Sequence, residues 1–292
     1  MWKKFIKDED LLKFDQVFEH LRVKHPSGED AWGLKLKSIR ANLEKVYPIY
    51  SNYFKTRVFG AENVGEENYI VVSNHSGQIA FDGAIITTAF LVDVFPPRIL
   101  RAMVERFFPS IPFVGSWSAG NGSVLGDRQN CINLLTRDES VLVFPEGVKG
   151  IAKNTSEYYQ LKPFTRGFIR IAVETNTPIL PICVIGAEEM YPLVYHLKPL
   201  ARLLKLPALP VTPGYLFGLL GTVPLPSPID IHIGKPIHLN TILNEHSLDK
   251  EIDVERIKIE NTISELIKAG LKNRRPFWGR DLIKKLGLNK NV

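Results

Sequence analysis

The feature that most constrains the fold of this chain is a rhythm that begins near Val58, in which strand-length apolar runs alternate with segments of helical length. Tyr69 to Ser73, Ile99 to Val104, Ser140 to Phe144 and Ile179 to Ile185 each have the length and composition of a buried strand. Asp82 to Val94, Asp127 to Arg137 and Thr165 to Thr175 fall between them and read as helices. This alternation predicts an α/β fold with a mostly parallel central sheet flanked by helices, whose sites gather at the carboxyl ends of the strands. Ile229 to Ile233 reads as a late strand and Asp249 to Leu271 as a closing amphipathic helix.

Residues 1 to 57 follow the helical period instead. Leu11, Phe14, Phe18 and Leu21 mark one face; Leu36, Ile39, Leu43, Val46, Tyr47 and Tyr50 mark another. Pro26 and Gly28 separate the two, and Pro48 is placed to kink the second. The expected organisation is a helical N-terminal region (1–57), an α/β domain (58–250), and a closing helix with a basic C-terminal helix or tail (251–292). A chain of 292 residues that is 45% hydrophobic can bury a core of that size.

The formal charge of +6 is concentrated at one end. Lys268 to Val292 holds eight basic residues against one acidic residue, Asp281, and they interleave with Phe277, Trp278, Leu282, Ile283 and Leu286. That mixture fits an anionic membrane surface and not a nucleic acid, the other reading being a solvated helix with a docked apolar face. Leu206 to Ile229 carries no charge and is long enough to span a bilayer, but six prolines and three glycines would leave backbone groups unpaired in lipid. An irregular apolar loop is expected there, dipping into the membrane or folded over the core. Trp2, Phe5 and Ile6 alternate with lysines and lack the apolar run of a secretory leader. Cys131 and Cys183 have no partner pattern and read as buried, reduced thiols with no metal site. The expected location is therefore the cytoplasmic side of a membrane, as a peripheral or monotopic protein.

Two strand ends carry the chemistry. The strand through Ile70 to Val72 continues into Ser73-Asn74-His75-Ser76-Gly77 and reaches Asp82 seven positions after the histidine. An imidazole at a strand's carboxyl end with a carboxylate nearby is what a general base requires, the carboxylate fixing the tautomer. On a continuous helix seven positions rise about 10.5 Å, so the chain between them must loop for the two to touch. The strand Ser140 to Phe144 ends in Pro145-Glu146-Gly147, where proline and glycine fix an irregular turn that presents Glu146.

Together, Asn74-His75 with Asp82 and Phe144-Pro145-Glu146-Gly147 resemble the first and third motifs of the glycerol-phosphate and lysophosphatidate acyltransferase superfamily. Pro178 to Val184 is similar to its fourth motif. The resemblance covers roughly residues 58 to 240. Its second motif is matched least well, by Gly122 to Arg128, with Arg128 in the place of an acceptor-phosphate ligand or, equally, as a solvated residue behind an Asp127 cap. Lys149, Lys162 and Arg166 are further candidate anion ligands. The family usually places four residues between His and Asp where this chain has six, and the form Asn-His-Ser-Gly with Phe-Asp-Gly looks like its monoacylglycerol and diacylglycerol acyltransferase-like branch.

The resemblance implies transfer of a fatty acyl group from acyl-CoA or an acyl carrier protein to a hydroxyl of a glycerol-type lipid, with no metal or cofactor. His75 would be the base, Asp82 its orienting partner, and backbone donors near Gly77 or Gly147 the oxyanion stabilisers. Glu146 would receive the acceptor's hydroxyls or, alternatively, pair with Lys149 or Lys162. Two rivals remain at this point: a lipid-docking protein that keeps the fold without efficient chemistry, and a hydrolase using Ser76. The second lacks a Gly-x-Ser-x-Gly elbow.

Overall fold

The computed structural model describes residues 5–76, 81–106, 114–191, 195–196, 210–211, 223–240, 242–244 and 246–285. Most of the apolar stretch 206–229 lies outside them, as do Gly77 and the chain beyond 285. Among the described residues the centre is a seven-stranded sheet built from β1 (Arg57–Phe59), β2 (Ile70–Ser73), β3 (Leu100–Val104), β4 (Val124–Leu125), β5 (Ser140–Val143), β6 (Ile179–Ile185) and β9 (Asp230–Ile233). The remaining two strands, β7 (Tyr195–His196) and β8 (Pro210–Val211), pair only with each other. The sheet order is β1-β9-β6-β2-β5-β3-β4. All neighbours are parallel except β6 with β9.

Strand alternation divides the core into two layers. Val71, Leu142, Leu180, Ile182 and Val184 face a cluster that includes Phe14, Phe18 and Leu21 of α1 (Asp8–Lys24), Ile39 and Leu43 of α2 (Leu36–Pro48) and Ile85, Ile86 and Phe90 of α3 (Phe81–Val92). Ile70, Val72, Val141, Cys183 and Ile185 face the opposite cluster. That layer holds Leu134 of α5 (Arg128–Leu135), Ile169 of α7 (Gly167–Thr175), and Ile259, Ile263 and Ile267 of the helix Asp249–Lys272. Helices therefore cover both faces, which is why the strands read as continuous apolar runs. The N-terminal helices share a core layer with the sheet and are further fixed by Arg101, a fully buried side chain on β3 that bonds Asp30 at 2.5 Å and the Gly122 carbonyl at 2.9 Å. Cys131 and Cys183 are both buried and free.

The C-terminal segment turns two of its cations into the fold. Arg274 is buried and bonds Glu189, the Ser227 hydroxyl and the Pro228 carbonyl; Arg275 bonds Asp230 and the Ile229 carbonyl. Two of the eight cations thus serve the fold, because β9 and the turn after β6 leave buried carboxylates that need neutralising. Among the described residues no helix is long and apolar enough to cross a membrane.

Two histidines make the fold acid-sensitive. Burial holds His25 below its usual 6.5, against the opposing charge of Glu139, and burial likewise lowers His232, which stacks on Phe59. Protons bind these imidazoles more readily in the unfolded chain, so stability is full above pH 6.5 and declines as pH falls below it. Melting temperature is expected to drop between pH 7.5 and 5.5, with a smaller drop in a His25→Gln, His232→Gln double variant.

Candidate active site

The site is assembled from the ends of three adjacent parallel strands: His75 follows β2, Glu146 follows β5 and Glu188 follows β6. Asn74 sets the register there. Its amide donates to the Val184 carbonyl at 3.1 Å and accepts the Val184 N–H at 2.8 Å, carrying the β2–β6 pairing one side chain beyond the strand.

His75 Nδ1 lies 2.7 Å from Asp82 Oδ2. Asp82 stands in the first turn of α3, where the helix dipole favours a carboxylate. Asp82 Oδ2 also accepts the Ser76 N–H at 2.8 Å, and Oδ1 accepts the Gly83 N–H at 2.8 Å. A carboxylate receiving two backbone donors takes the third hydrogen bond from a protonated Nδ1, which leaves Nε2 as the basic nitrogen. The Asp82 side chain is fully buried while the imidazole keeps 14% exposure. The ring stacks on Phe144 with centroids 4.1 Å apart.

Phe144 also lines a groove of about 310 Å³ at the ends of β3, β4 and β5, with Met103, Val143, Pro145, Phe168 and Ile171 among its apolar walls. Arg128 and Arg170 stand at this groove as well.

Gly150, in the short helix α6 (Val148–Ile151), backs the histidine. A Cβ there would lie 2.7 Å from His75 Cβ and 2.9 Å from Glu146 Cβ. Gly150→Ala is therefore expected to displace the imidazole and reduce turnover by at least about tenfold, since errors near 1 Å can cost about 10²-fold. Steady-state kinetics beside a circular-dichroism melt check this; unchanged turnover would show that the backbone yields freely.

Several expectations need correction. Glu146 does not face an acceptor: its side chain is fully buried, Oε1 accepts the His75 N–H at 2.9 Å, and Oε2 accepts the Lys162 N–H at 2.7 Å. Its charge partner is Lys153, at 2.9 Å, in place of Lys149 or the Lys162 ammonium. Lys162 contributes only its backbone there, its side chain pairing with Glu157. Gly147 adopts φ +55°, which its lack of a side chain permits, but its N–H is bound to the Phe144 carbonyl and is not free for an oxyanion. Arg166 is directed away to Asp249 and Asp253, which compete for its guanidinium. Arg128 is exposed and pairs with Glu174, while Asp127 caps α5 through the Asn130 N–H at 2.8 Å. Lys149 is exposed on α6. Lys153 gave no sequence signal beyond being a charged residue near the Glu146 turn, and Glu188 none beyond lying just after the strand Ile179–Ile185.

Residues 55–185 match the sequence model of a family described as Acyltransferase. Uncharacterized proteins of Mycobacterium tuberculosis and Mycobacterium leprae are each 34% identical, over 77% and 78% of this chain, and the chain spans 64% of their length. Human 1-acyl-sn-glycerol-3-phosphate acyltransferase alpha is 28% identical over 53% of this chain and 54% of its own. The crystal structure of the 1-acyl-sn-glycerophosphate acyltransferase PlsC from Thermotoga maritima superposes with a TM-score of 0.52 at 19% identity, covering 80% of this chain and 81% of that one. The matched stretch is the one that builds the central strands and carries His75, Asp82 and Glu146 at their ends, and over it the chain is similar to the acyltransferase family.

Proposed function

We propose that the protein transfers a fatty acyl group from a thioester, acyl-CoA or acyl carrier protein, to a hydroxyl of a glycerol-type lipid, and does so directly, without an acyl-enzyme. The observation that carries this reading is the 2.7 Å contact of His75 Nδ1 with a buried Asp82, in an imidazole that stacks on Phe144, a residue that also lines an apolar-walled groove. Nε2 takes the proton of the acceptor hydroxyl as its oxygen attacks the thioester carbonyl. Asp82 keeps the proton of the neutral imidazole on Nδ1 and stabilises the imidazolium that forms. The tetrahedral intermediate collapses with loss of thiolate, a good leaving group, which regains a proton from the imidazolium.

The hydrolase reading loses ground, because the Ser76 hydroxyl is buried and makes no hydrogen bond to the imidazole or any other group. The relatives that are named as acting on lysophosphatidate support a phosphorylated acceptor, and the Asn-His-Ser-Gly form supports a monoacylglycerol-like one. Incubation of purified protein with labelled acyl-CoA or acyl carrier protein and a panel of glycerol phosphate, lysophospholipids and monoacylglycerol decides between them. Transfer to at least one acceptor is expected. Tight binding to anionic vesicles with transfer to none would leave a docking protein.

A further inference from the structure

Behind the histidine, on the side away from Phe144, lies a buried charge cluster with an odd composition. Lys153 places its ammonium 2.9 Å from Glu146, 3.0 Å from Glu188 and 3.4 Å from the His75 carbonyl. All three side chains are at most 3% exposed. One cation therefore serves two carboxylates, and burial raises the Glu188 pKa against the pull of Lys153. Such an arrangement is poor evidence for a stabilising role, since buried ion pairs often contribute less than an apolar replacement. Burial alone would lower the Lys153 pKa, but Glu188 and then Glu146 outweigh it and raise it, so the ammonium stays charged.

The arrangement makes sense as a clamp on the two peptide groups that flank the His75 Cα. Glu146 Oε1 holds the His75 N–H, Lys153 holds the His75 carbonyl, and Lys153 holds Glu146. Gly150, three residues before Lys153, brings the intervening turn against the His75 Cβ. Both polar groups of the His75 backbone are thus fixed by groups that do not reach the imidazole itself.

We propose that Lys153 is a positioning residue for His75, setting the backbone from which the imidazole projects so that Nδ1 meets Asp82 and Nε2 meets the acceptor. This rests on the acyl-transfer role assigned to His75 and adds a residue to it. Lys153 touches neither substrate nor reacting atom. Its replacement alters turnover and not affinity.

Lys153→Met alone leaves two unneutralised buried carboxylates and can fail to fold for that reason. The Lys153→Met, Glu188→Gln double variant removes the ammonium together with one of the two carboxylates it serves, and it is the variant tested. Its kcat is expected to fall about 10- to 100-fold with KM for donor and acceptor within about twofold of wild type. In proton NMR, the downfield His75 Nδ1 proton, identified by its absence in Asp82→Asn, is expected to shift or broaden. A Glu188→Gln control retains the Lys153–Glu146 clamp, and the double variant is expected to fall at least about tenfold below it in kcat and to shift that resonance relative to it. A folded double variant with wild-type kcat and an unmoved resonance would overturn the proposal, as would a rise in KM at constant kcat, which would make Lys153 a substrate ligand. Failure of the double variant to fold, with the control intact, would also overturn it in favour of a structural role. His75→Ala run alongside separates the two levels: if that variant keeps its turnover, the acyl-transfer reading fails, and the resonance alone then decides for Lys153.

Discussion

Replacement of His75 by alanine is expected to lower acyl transfer by about 10²–10⁴-fold without loss of the fold. The imidazole is partly exposed and stacks on one side of Phe144, so its removal opens little of the core. Asp82→Asn is expected to fall as far, for a more specific reason. Asp82 Oδ1 receives the Gly83 N–H and Oδ2 the Ser76 N–H and His75 Nδ1, so an asparagine must turn its own NH₂ either onto the Gly83 N–H or onto the Ser76 N–H and His75 Nδ1 together. The second choice places the ring proton on Nε2 and removes the base. Because the two side chains act as a unit, the double variant is expected to be no slower than the worse single variant. Single-turnover transfer of a labelled acyl group measures all three, and near-normal turnover in His75→Ala would remove that residue from the mechanism.

Arg274→Ala is expected to have the largest effect on stability, about 3–5 kcal/mol, because it leaves the fully buried Glu189 without its counter-charge. The guanidinium forks across both Glu189 oxygens at 3.0 and 2.8 Å and also donates to Ser227 Oγ at 2.7 Å and the Pro228 carbonyl at 2.6 Å. A lysine keeps the charge but not the fork, so Arg274→Lys is expected to lie between wild type and alanine. Denaturant midpoints at constant slope report these differences. A loss below about 1 kcal/mol for Arg274→Ala would mean that the segment after the long helix Asp249–Lys272 is only loosely tied to the sheet.

The central sheet was legible because its strands are covered on both faces, and uninterrupted apolar runs of the right length have few alternatives. Predicted and observed limits differ by about one residue at β2, β3, β5 and β6, and the helix expected from Asp82 begins at Phe81. The need for the chain to loop between His75 and Asp82 was also readable, since a continuous helix would have kept apart an imidazole and a carboxylate that do meet. What the sequence concealed were facts of orientation and long-range pairing. The antiparallel course of β9 depends on where the chain returns after 190, which local pattern does not encode. The inward turn of Glu146 depends on the His75 peptide and Lys153 arriving from other elements. Arg274 and Arg275 look like solvated tail cations until Glu189 and Asp230 are seen beneath them. Charge near a motif therefore located the neighbourhood of the site but not which cations face ligand and which complete the fold.

The pairing of β1 with β9 has a consequence for biogenesis. Arg57 and its partner Asp230 are 173 positions apart, so the ribosome finishes the first strand long before it makes the second. At about 5–20 residues per second, the nascent chain waits roughly 9–35 s with that backbone edge unsatisfied. Arg275, which also bonds Asp230, emerges later still. Closure of this flank is thus a late event in synthesis, and until then the growing polypeptide carries an unpaired strand edge.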